Sequence, residues 1–182
     1  MLVPTVDRDR SGSVESGPVS SFDSSRFRQV LGHFPTGVTV VTGALDGVPH
    51  GLTIGSFSSV SLDPPLVGFF AMHGSPSWQA IQRAGAFCVN VLGHDQGDVC
   101  WRFATTNDEG KYDGIGWRPA ASGSPILDGV IAWIDCTIEH VYEMGDHQFV
   151  LGRVGDLDSW DGPEPAPLLF FRGKLGGFVA DA

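Results

Sequence analysis

The sequence predicts a mainly β protein, an antiparallel barrel with a few short peripheral helices. Connections between its apolar runs are short, and the pairs Asp46-Gly47 and Gly145-Asp146 are typical of hairpin turns. Long helical patterns are few, so the sequence lacks the crossover helices of a βαβ fold. We therefore expect a Greek-key type of antiparallel barrel.

The elements follow one another at short intervals. Phe27, Val30, Leu31 and Phe34 have the spacing of an amphipathic helix, which Pro35 and Gly37 close. Two further short helices are predicted in "GSPSWQAIQRAG" and "DQGDVCWRFATT", and residues 107–124 are expected to form a polar loop. Strands are predicted in "GVTVVTGAL", "PHGLTIGSF", "PLVGFFAM", "AFCVNVL", "GVIAWIDCTIEHVYEM", "HQFVLGRVGDL" and "PLLFFRGKLGGF".

Length and composition predict one folded domain. The chain has 182 residues, of which 42% are hydrophobic and 18% charged, enough for one substantial core. Residues 1–22 are rich in Ser, Gly and Pro and lack the apolar segment of a signal peptide, so they are expected to be a disordered leader. Residues 23–182 are expected to form the single domain.

Charge and cysteine content restrict the partners. The formal net charge of -10 argues against nucleic acid and anionic membrane surfaces, which select basic proteins. No apolar stretch reaches the length of about 18 residues that a membrane span needs. Cys88, Cys100 and Cys136 lie in apolar runs without C-x-x-C spacing, which indicates buried free thiols in a cytoplasmic protein.

Standard catalytic and metal-binding motifs are absent from the sequence. It has no G-x-S-x-G, G-x-x-x-x-G-K-[ST], G-x-G-x-x-G after a strand, or H-E-x-x-H motif. Its six histidines show no metal-ligand spacing, so no metal site is expected.

The start of the helix in "GSPSWQAIQRAG" is a candidate phosphate site. Ser75 suits the N-cap, Pro76 the first helical position, and Gly85 the residue after the helix end. The hydroxyls of Ser75 and Ser77, free N–H groups and the positive end of the helix dipole together suit a phosphate. An ordinary capped surface helix is the alternative.

The stretch "GLTIGSFSSVSLDPPLVGFF" combines small hydroxyls with apolar side chains and almost no charge. A planar isoalloxazine ring, with one apolar and one polar edge, needs that mixture, and a solvent-facing polar strand is the alternative. The candidates are Thr53, Gly55, Ser56, Phe57, Ser58, Ser59 and Ser61. Because side chains alternate along a strand, we expect only Thr53, Ser56 and Ser61 to face a ligand, with Phe57 contributing through its backbone.

His147 is the third candidate. The turn Gly145-Asp146 would place it at the first residue of a returning strand, at the barrel rim beside Asp146. A histidine in that place is either simply exposed or available to a ligand.

Several blocks in order resemble the flavin reductase family that supplies reduced flavin to two-component monooxygenases. They include "FRQVLGHFPTGVTVVTG", "SFSSVSLDPP", "SPSWQAIQRAGAFCVNVL", the G-D-H turn and "PLLFFRGKLGGF", and they span about residues 26–178. The resemblance implies an FMN-binding split β-barrel, FMN or FAD as cofactor, and a homodimer with an oxygenase partner. NADH is favoured over NADPH as hydride donor, because no site for the additional phosphate is visible.

The resemblance also assigns roles to residues. It implies that the flavin is surrounded by Thr36, Gly37, Thr53, Ser56, Phe57, Ser58 and Ser61, with its phosphate at Ser75 and Ser77. Asn90, Phe103 and Lys111 are further candidates, His147 matches the residue associated with the nicotinamide, and Phe171 lies where the family closes the site. Many relatives carry an aromatic residue where this chain has Leu175, which leaves the shielding of the dinucleotide open.

Hydride transfer between two stacked rings needs positioning rather than a protein nucleophile, which fits the absence of catalytic motifs. Two alternatives remain at this point. One is another split-barrel oxidoreductase acting on a corrinoid, an iron complex or a pyridoxamine-type substrate; the other is a flavin-binding protein without turnover.

Overall fold

The computed structural model describes residues 22–105, 109–160 and 166–178. Three helices and twelve strands occur there, in the order α1 Ser24–Leu31, β1 Thr36–Gly37, β2 Thr39–Leu45, β3 Val48–Ile54, β4 Ser58–Leu62, β5 Pro65–Met72, α2 Pro76–Ala84, β6 Ala86–Val91, α3 Gly97–Phe103, β7 Trp117–Pro119, β8 Pro125–Leu127, β9 Ala132–Met144, β10 His147–Ser159, β11 Leu168–Phe171 and β12 Lys174–Gly177. The mainly β class is confirmed. The leader lies outside the described residues, except for Phe22.

Seven strands form one antiparallel sheet in the order β3-β2-β6-β9-β10-β5-β4. A three-stranded sheet, β1-β11-β12, packs beside it, because Val38 N donates to Leu168 O and Leu92 N donates to Val38 O, both at 3.1 Å. The large sheet does not close on itself, as expected for a split barrel. The Gly145-Asp146 turn joins β9 to β10 and pairs Met144 with His147.

Two apolar clusters hold the sheets and helices together. Alternation along β2 sends Val41 into one cluster, with Phe69, Trp78 and Phe87, and Val40 into the other, with Leu92, Phe103, Leu127 and Leu168. The three cysteines are buried and free, which confirms that part of the sequence prediction.

Two elements differ from the prediction. Helix α1 forms where expected, but none of its residues is buried, and Phe27, Val30, Leu31 and the following Phe34 stay exposed. The predicted loop of residues 107–124 contains the short strand β7, which pairs with β8. Its residues Trp117–Pro119 carry no alternating pattern long enough to indicate a strand.

Candidate functional site

A groove of about 340 Å³ lies where β3, β5, α2, α3 and β10 meet. It brings together six of the residues expected from the sequence, which are Thr53, Gly55, Ser56, Ser75, Phe103 and His147. These residues come from four separate parts of the chain, so only the fold unites them.

Ser75 reaches the groove because α2 begins beside it. Its Oγ accepts a hydrogen bond from Trp78 N at 3.3 Å, and Pro76 occupies the first turn, as the sequence predicts. Trp78 and Ile81 are fully buried and fix the helix against the core. The positive end of the helix dipole therefore lies at the groove wall.

The hydroxyls of Thr53 and Ser56 also fix the groove wall. Thr53 Oγ1 donates to the carbonyl of Cys100 in α3 at 2.7 Å. Ser56 Oγ accepts from Phe70 N at 2.9 Å and donates to Phe70 O at 3.3 Å. Both hydroxyls thus hold neighbouring elements in place while their residues line the groove.

Phe103 reaches the groove through a close approach to β3. A Cβ atom on Gly51 would lie 2.6 Å from the Phe103 ring, so only glycine at position 51 permits this packing. The ring is buried and makes an edge contact with Tyr112. Phe103 is therefore an apolar wall beneath the hydroxyls.

His147 is the first residue of β10 and stands at the rim. Its Nδ1 lies 2.7 Å from Asp146 Oδ1. The hydrogen bond from His147, and then its charge, lower the pKa of Asp146, so the carboxylate is ionised and can only accept. His147 Nδ1 therefore carries the proton, and in the neutral ring Nε2 is an acceptor.

A polar chain anchors the turn that carries His147. Trp78 Nε1 donates to Gln148 Oε1 and Gln148 Nε2 donates to Glu143 Oε1, both at 2.7 Å. Glu143 Oε2 lies 3.1 Å from His73 Nε2. The turn is thus tied to α2 and to the end of β5.

A smaller cavity of about 310 Å³ adjoins the groove. Thr53, Gly55 and Ala104 line both spaces. The smaller one is completed by Thr36, Val38, Cys100, Trp101 and Phe170. Thr36 thus lies near the groove, as the resemblance implies. Gly37, next to it on β1, does not line either cavity.

Three expected pocket residues are buried instead. Asn90 is fully buried in the core, where its Oδ1 accepts from Leu127 N at 2.8 Å and its Nδ2 lies 3.0 Å from Thr42 Oγ1. Lys111 Nζ donates to Gly51 O at 3.0 Å and to Ser77 Oγ at 2.9 Å. Asn90, Lys111 and the buried Ser77 thus satisfy interior polar groups, and none of the three lines the groove.

Four other expected residues lie outside the groove lining. Phe57 packs against the core, which agrees with a contribution through its backbone. Ser58 and Ser61 belong to the edge strand β4, and Ser58 Oγ donates to Ser59 O. Phe171 lies against His33 and lines a different cavity, with Pro35 and Lys174.

The prediction missed several lining residues. Phe70 and Met72 alternate with the buried Phe69 and Ala71 on β5, so strand periodicity was the available signal. Phe170, rather than Phe171, faces the smaller cavity. Leu52, Ile54, Gly74, Ala104 and Thr105 complete the groove and carried no individual signal.

Within the described ranges, no group of three or more His, Cys, Asp or Glu side chains could hold a metal ion. No helix in those ranges is both long and apolar enough to cross a membrane.

The chain belongs to the family of flavin reductase like domains, whose model matches residues 31–178. It is 51% identical over 162 residues to a flavin reductase of Pseudomonas putida, covering 88% of this chain and 94% of that one. It is 48% identical over 158 residues to HsaB, the reductase subunit of a flavin-dependent monooxygenase of Mycobacterium tuberculosis, covering 87% and 84% of the two chains.

A solved structure gives the same fold. The NADH:FAD oxidoreductase SgcE6 of Streptomyces globisporus, in complex with NAD and FAD fragments, superposes with a TM-score of 0.79 at 37% identity. The match covers 88% of this chain and 95% of that one. Family and fold agree with the resemblance drawn from the sequence.

Proposed function

We propose that this protein is an NADH-dependent flavin reductase that supplies reduced flavin to a partner monooxygenase. The observation that carries the proposal is the groove, which unites Thr53, Ser56, Ser75 and His147 above an apolar floor. The relatives named above, a flavin reductase and the reductase subunit of a monooxygenase, support the same activity and the same kind of partner.

The groove residues fit a flavin. The start of α2 at Ser75 and the adjacent Gly74 would hold the phosphate, because a helix N-terminus favours an anion and Gly74 leaves open space. Phe103, Phe70 and Met72 would offer apolar surface to the ring, and the Gly55-Ser56 backbone could meet its polar edge, because all five residues line the groove. FMN and FAD share the ring and the phosphate attached through its side chain, so both are candidate cofactors.

The bound flavin supplies hydride-accepting chemistry, and NADH supplies the hydride. The protein contributes positioning, since two stacked rings must approach to about 3 to 3.5 Å. His147 Nε2, an acceptor in the neutral ring, would receive a hydrogen bond from the nicotinamide carboxamide. His147 therefore orients the donor and does not transfer a proton.

We infer that the protein acts as a homodimer in the cytoplasm. Phe22, Phe27 and Val30 expose an apolar face of α1 that a second copy would bury. The buried free cysteines fit a reducing compartment. Sedimentation of Val30→Asp against the unchanged protein tests the dimer, and a monomeric unchanged protein would contradict it.

The direct test of the activity follows NADH consumption with FMN, FAD and riboflavin, in air and without oxygen. We expect consumption that depends on added flavin and on protein. Tight flavin binding without NADH consumption under every condition would contradict the proposal and would identify a flavin-binding protein without turnover.

A further inference from the structure

The turn between β9 and β10 is held from the side of the sheet opposite to the groove. Side chains alternate along a strand, so His147 turns towards the groove and the next residue, Gln148, turns away from it. Gln148 Oε1 accepts a hydrogen bond from Trp78 Nε1 at 2.7 Å. Trp78 is fully buried in the first turn of α2, so this hydrogen bond ties the start of β10 to the core.

An amide side chain at position 148 suits both of its contacts. The indole N–H of Trp78 can only donate, so the amide oxygen of Gln148 must face it. The amide nitrogen is then left to donate to Glu143 Oε1 at 2.7 Å. A glutamate at position 148 would have no proton to donate to Glu143. Two partners of opposite demand therefore fix the orientation of the Gln148 amide.

Further contacts lead from Glu143 back to α2. Glu143 Oε2 lies 3.1 Å from His73 Nε2. His73 N donates to Asp146 O at 3.4 Å, and His73 O accepts a hydrogen bond from Gln79 Nε2 of α2 at 3.1 Å. Together with the Gln148 contacts, these form a closed ring through α2, β10, β9 and the end of β5. The turn is therefore anchored on both of its strands.

The contact of His147 with its sequence neighbour is weaker than this buried anchor. The side chain of Asp146, which accepts from Nδ1 of His147, is 91% exposed. Exposed pairs restrain geometry little, whereas hydrogen bonds shielded from water are stronger. Because Gln148 reaches the buried Trp78, we expect Gln148 to restrain the position of the His147 imidazole more than Asp146 does.

We propose that Gln148 is a positioning residue for NADH, an inference that rests on the proposed function. Gln148 does not line the groove, so it acts through His147 and not by contact with either ring. Its hydrogen bond to Trp78 holds the first residues of β10, and with them the imidazole that receives the nicotinamide carboxamide. Loss of this hydrogen bond therefore weakens NADH binding and leaves flavin binding intact.

The test is a double-mutant cycle between Gln148 and His147, measured by steady-state kinetics with FMN. Gln148→Met keeps the length of the side chain and removes both hydrogen bonds. It should raise the KM for NADH about three- to fivefold alone but less than about twofold in the His147→Ala background, with the flavin Kd unchanged in both. Equal rises in the two backgrounds, no rise in either, or a parallel loss of flavin affinity would overturn the proposal.

Glu143→Ala gives a second variant that protects folding. The Glu143 side chain is 70% exposed, and its removal leaves the hydrogen bond between Gln148 and Trp78 in place. We expect a rise of about twofold in the KM for NADH, which also disappears in the His147→Ala background. This variant decides the question if Gln148→Met does not fold, and an unchanged KM would then overturn the proposal.

Glu139→Ala is the matched control. Glu139 lies on β9, as Glu143 does, and accepts from Arg153 of β10 at 2.7 Å, away from the turn. The control should leave the KM for NADH unchanged. A rise equal to that of Glu143→Ala would assign the effect to general loosening of the two strands and would overturn the proposal.

A measurement without flavin or NADH separates this inference from the activity. Nitrogen-15 NMR of the histidine rings, with the His147 signals identified by their loss in His147→Ala, reports which ring nitrogen carries the proton. We expect a fixed Nδ1–H tautomer in the unchanged protein and averaging of the two nitrogens in Gln148→Met. The same behaviour in both proteins would overturn the positioning role even if the protein reduces flavin. The expected difference without any NADH consumption would contradict the proposed function alone.

Discussion

Asp146 Oδ1 lies 2.7 Å from Nδ1 of His147, at the point where the β9–β10 turn meets the groove. The two side chains are adjacent in sequence, and the turn alone brings them together. Because the Asp146 carboxylate accepts a hydrogen bond from Nδ1–H, His147 presents Nε2 as its remaining hydrogen-bonding atom.

His147→Ala should raise the KM for NADH more than it weakens flavin binding, because the imidazole contacts the nicotinamide in our account. We expect about a tenfold rise in KM and less than a threefold change in the flavin Kd, measured by steady-state kinetics and flavin fluorescence. Equal losses in both quantities would contradict this division of roles.

Asp146→Ala should also raise the KM for NADH, but only about two- to fourfold, which is less than the rise expected for His147→Ala. Asp146 is largely exposed, and surface pairs of this kind contribute little. The lowered pKa of Asp146 keeps its carboxylate ionised well below neutral pH, so the carboxylate itself does not titrate in this assay at pH 8. An unchanged KM for NADH in Asp146→Ala at pH 8 would contradict the assignment.

Ser56→Ala and Ser58→Ala form a matched pair. Ser56 Oγ makes two hydrogen bonds to the Phe70 backbone at the groove, whereas Ser58 lies on the edge strand. Ser56→Ala should weaken flavin binding several-fold and cost about 1 kcal/mol of unfolding free energy. Ser58→Ala should change neither quantity, and equal effects of the two variants on flavin binding would show that β4 also faces the ligand.

Asn90→Ala should destabilise the fold without removing a flavin contact. The change strips Leu127 N of its buried acceptor, for which we expect a cost of roughly 2–3 kcal/mol in urea unfolding. The flavin Kd of the folded variant should stay within twofold of the unchanged protein. A large loss of flavin affinity with normal stability would show that Asn90 contacts the flavin.

Alkaline pH should weaken the fold through its buried thiols. Burial, reinforced by the charge of Asp135, raises the pKa of Cys136 to about 12 and raises that of Cys88 further. Unfolded thiols ionise near pH 8.5, so above that pH the folded state binds more protons and stability falls, by about 1.4 kcal/mol per pH unit for each thiol. Urea unfolding from pH 8 to 10 measures this slope. The double variant Cys88→Ala, Cys136→Ala should show a shallower slope, and an identical slope would contradict the linkage.

The sequence predicted those features that depend on local chemistry. The cap at Ser75, the Pro76 start, the Gly145-Asp146 turn and the strand runs all rest on interactions within a few residues, and the structure confirms them. Thr53, Ser56 and His147 line one groove, although only the fold brings their segments together.

The remaining features depend on distant contacts. Lys111 and Asn90 look like ligand groups in sequence, but their partners Gly51 and Leu127 lie 60 and 37 residues away. Which of Phe170 and Phe171 faces the smaller cavity follows from the register of β11 against β1, which no local pattern specifies. The exposure of α1 likewise depends on what packs against it in the assembled protein.

The most direct test of the central claim is anaerobic mixing of the protein, FMN and a stoichiometric amount of NADH. Our account predicts that the absorbance of oxidised flavin is lost as NADH is consumed, with one flavin reduced for each NADH oxidised. It also predicts that His147→Ala slows flavin reduction at low NADH concentration. Flavin that binds in the groove but stays oxidised while NADH persists would contradict it.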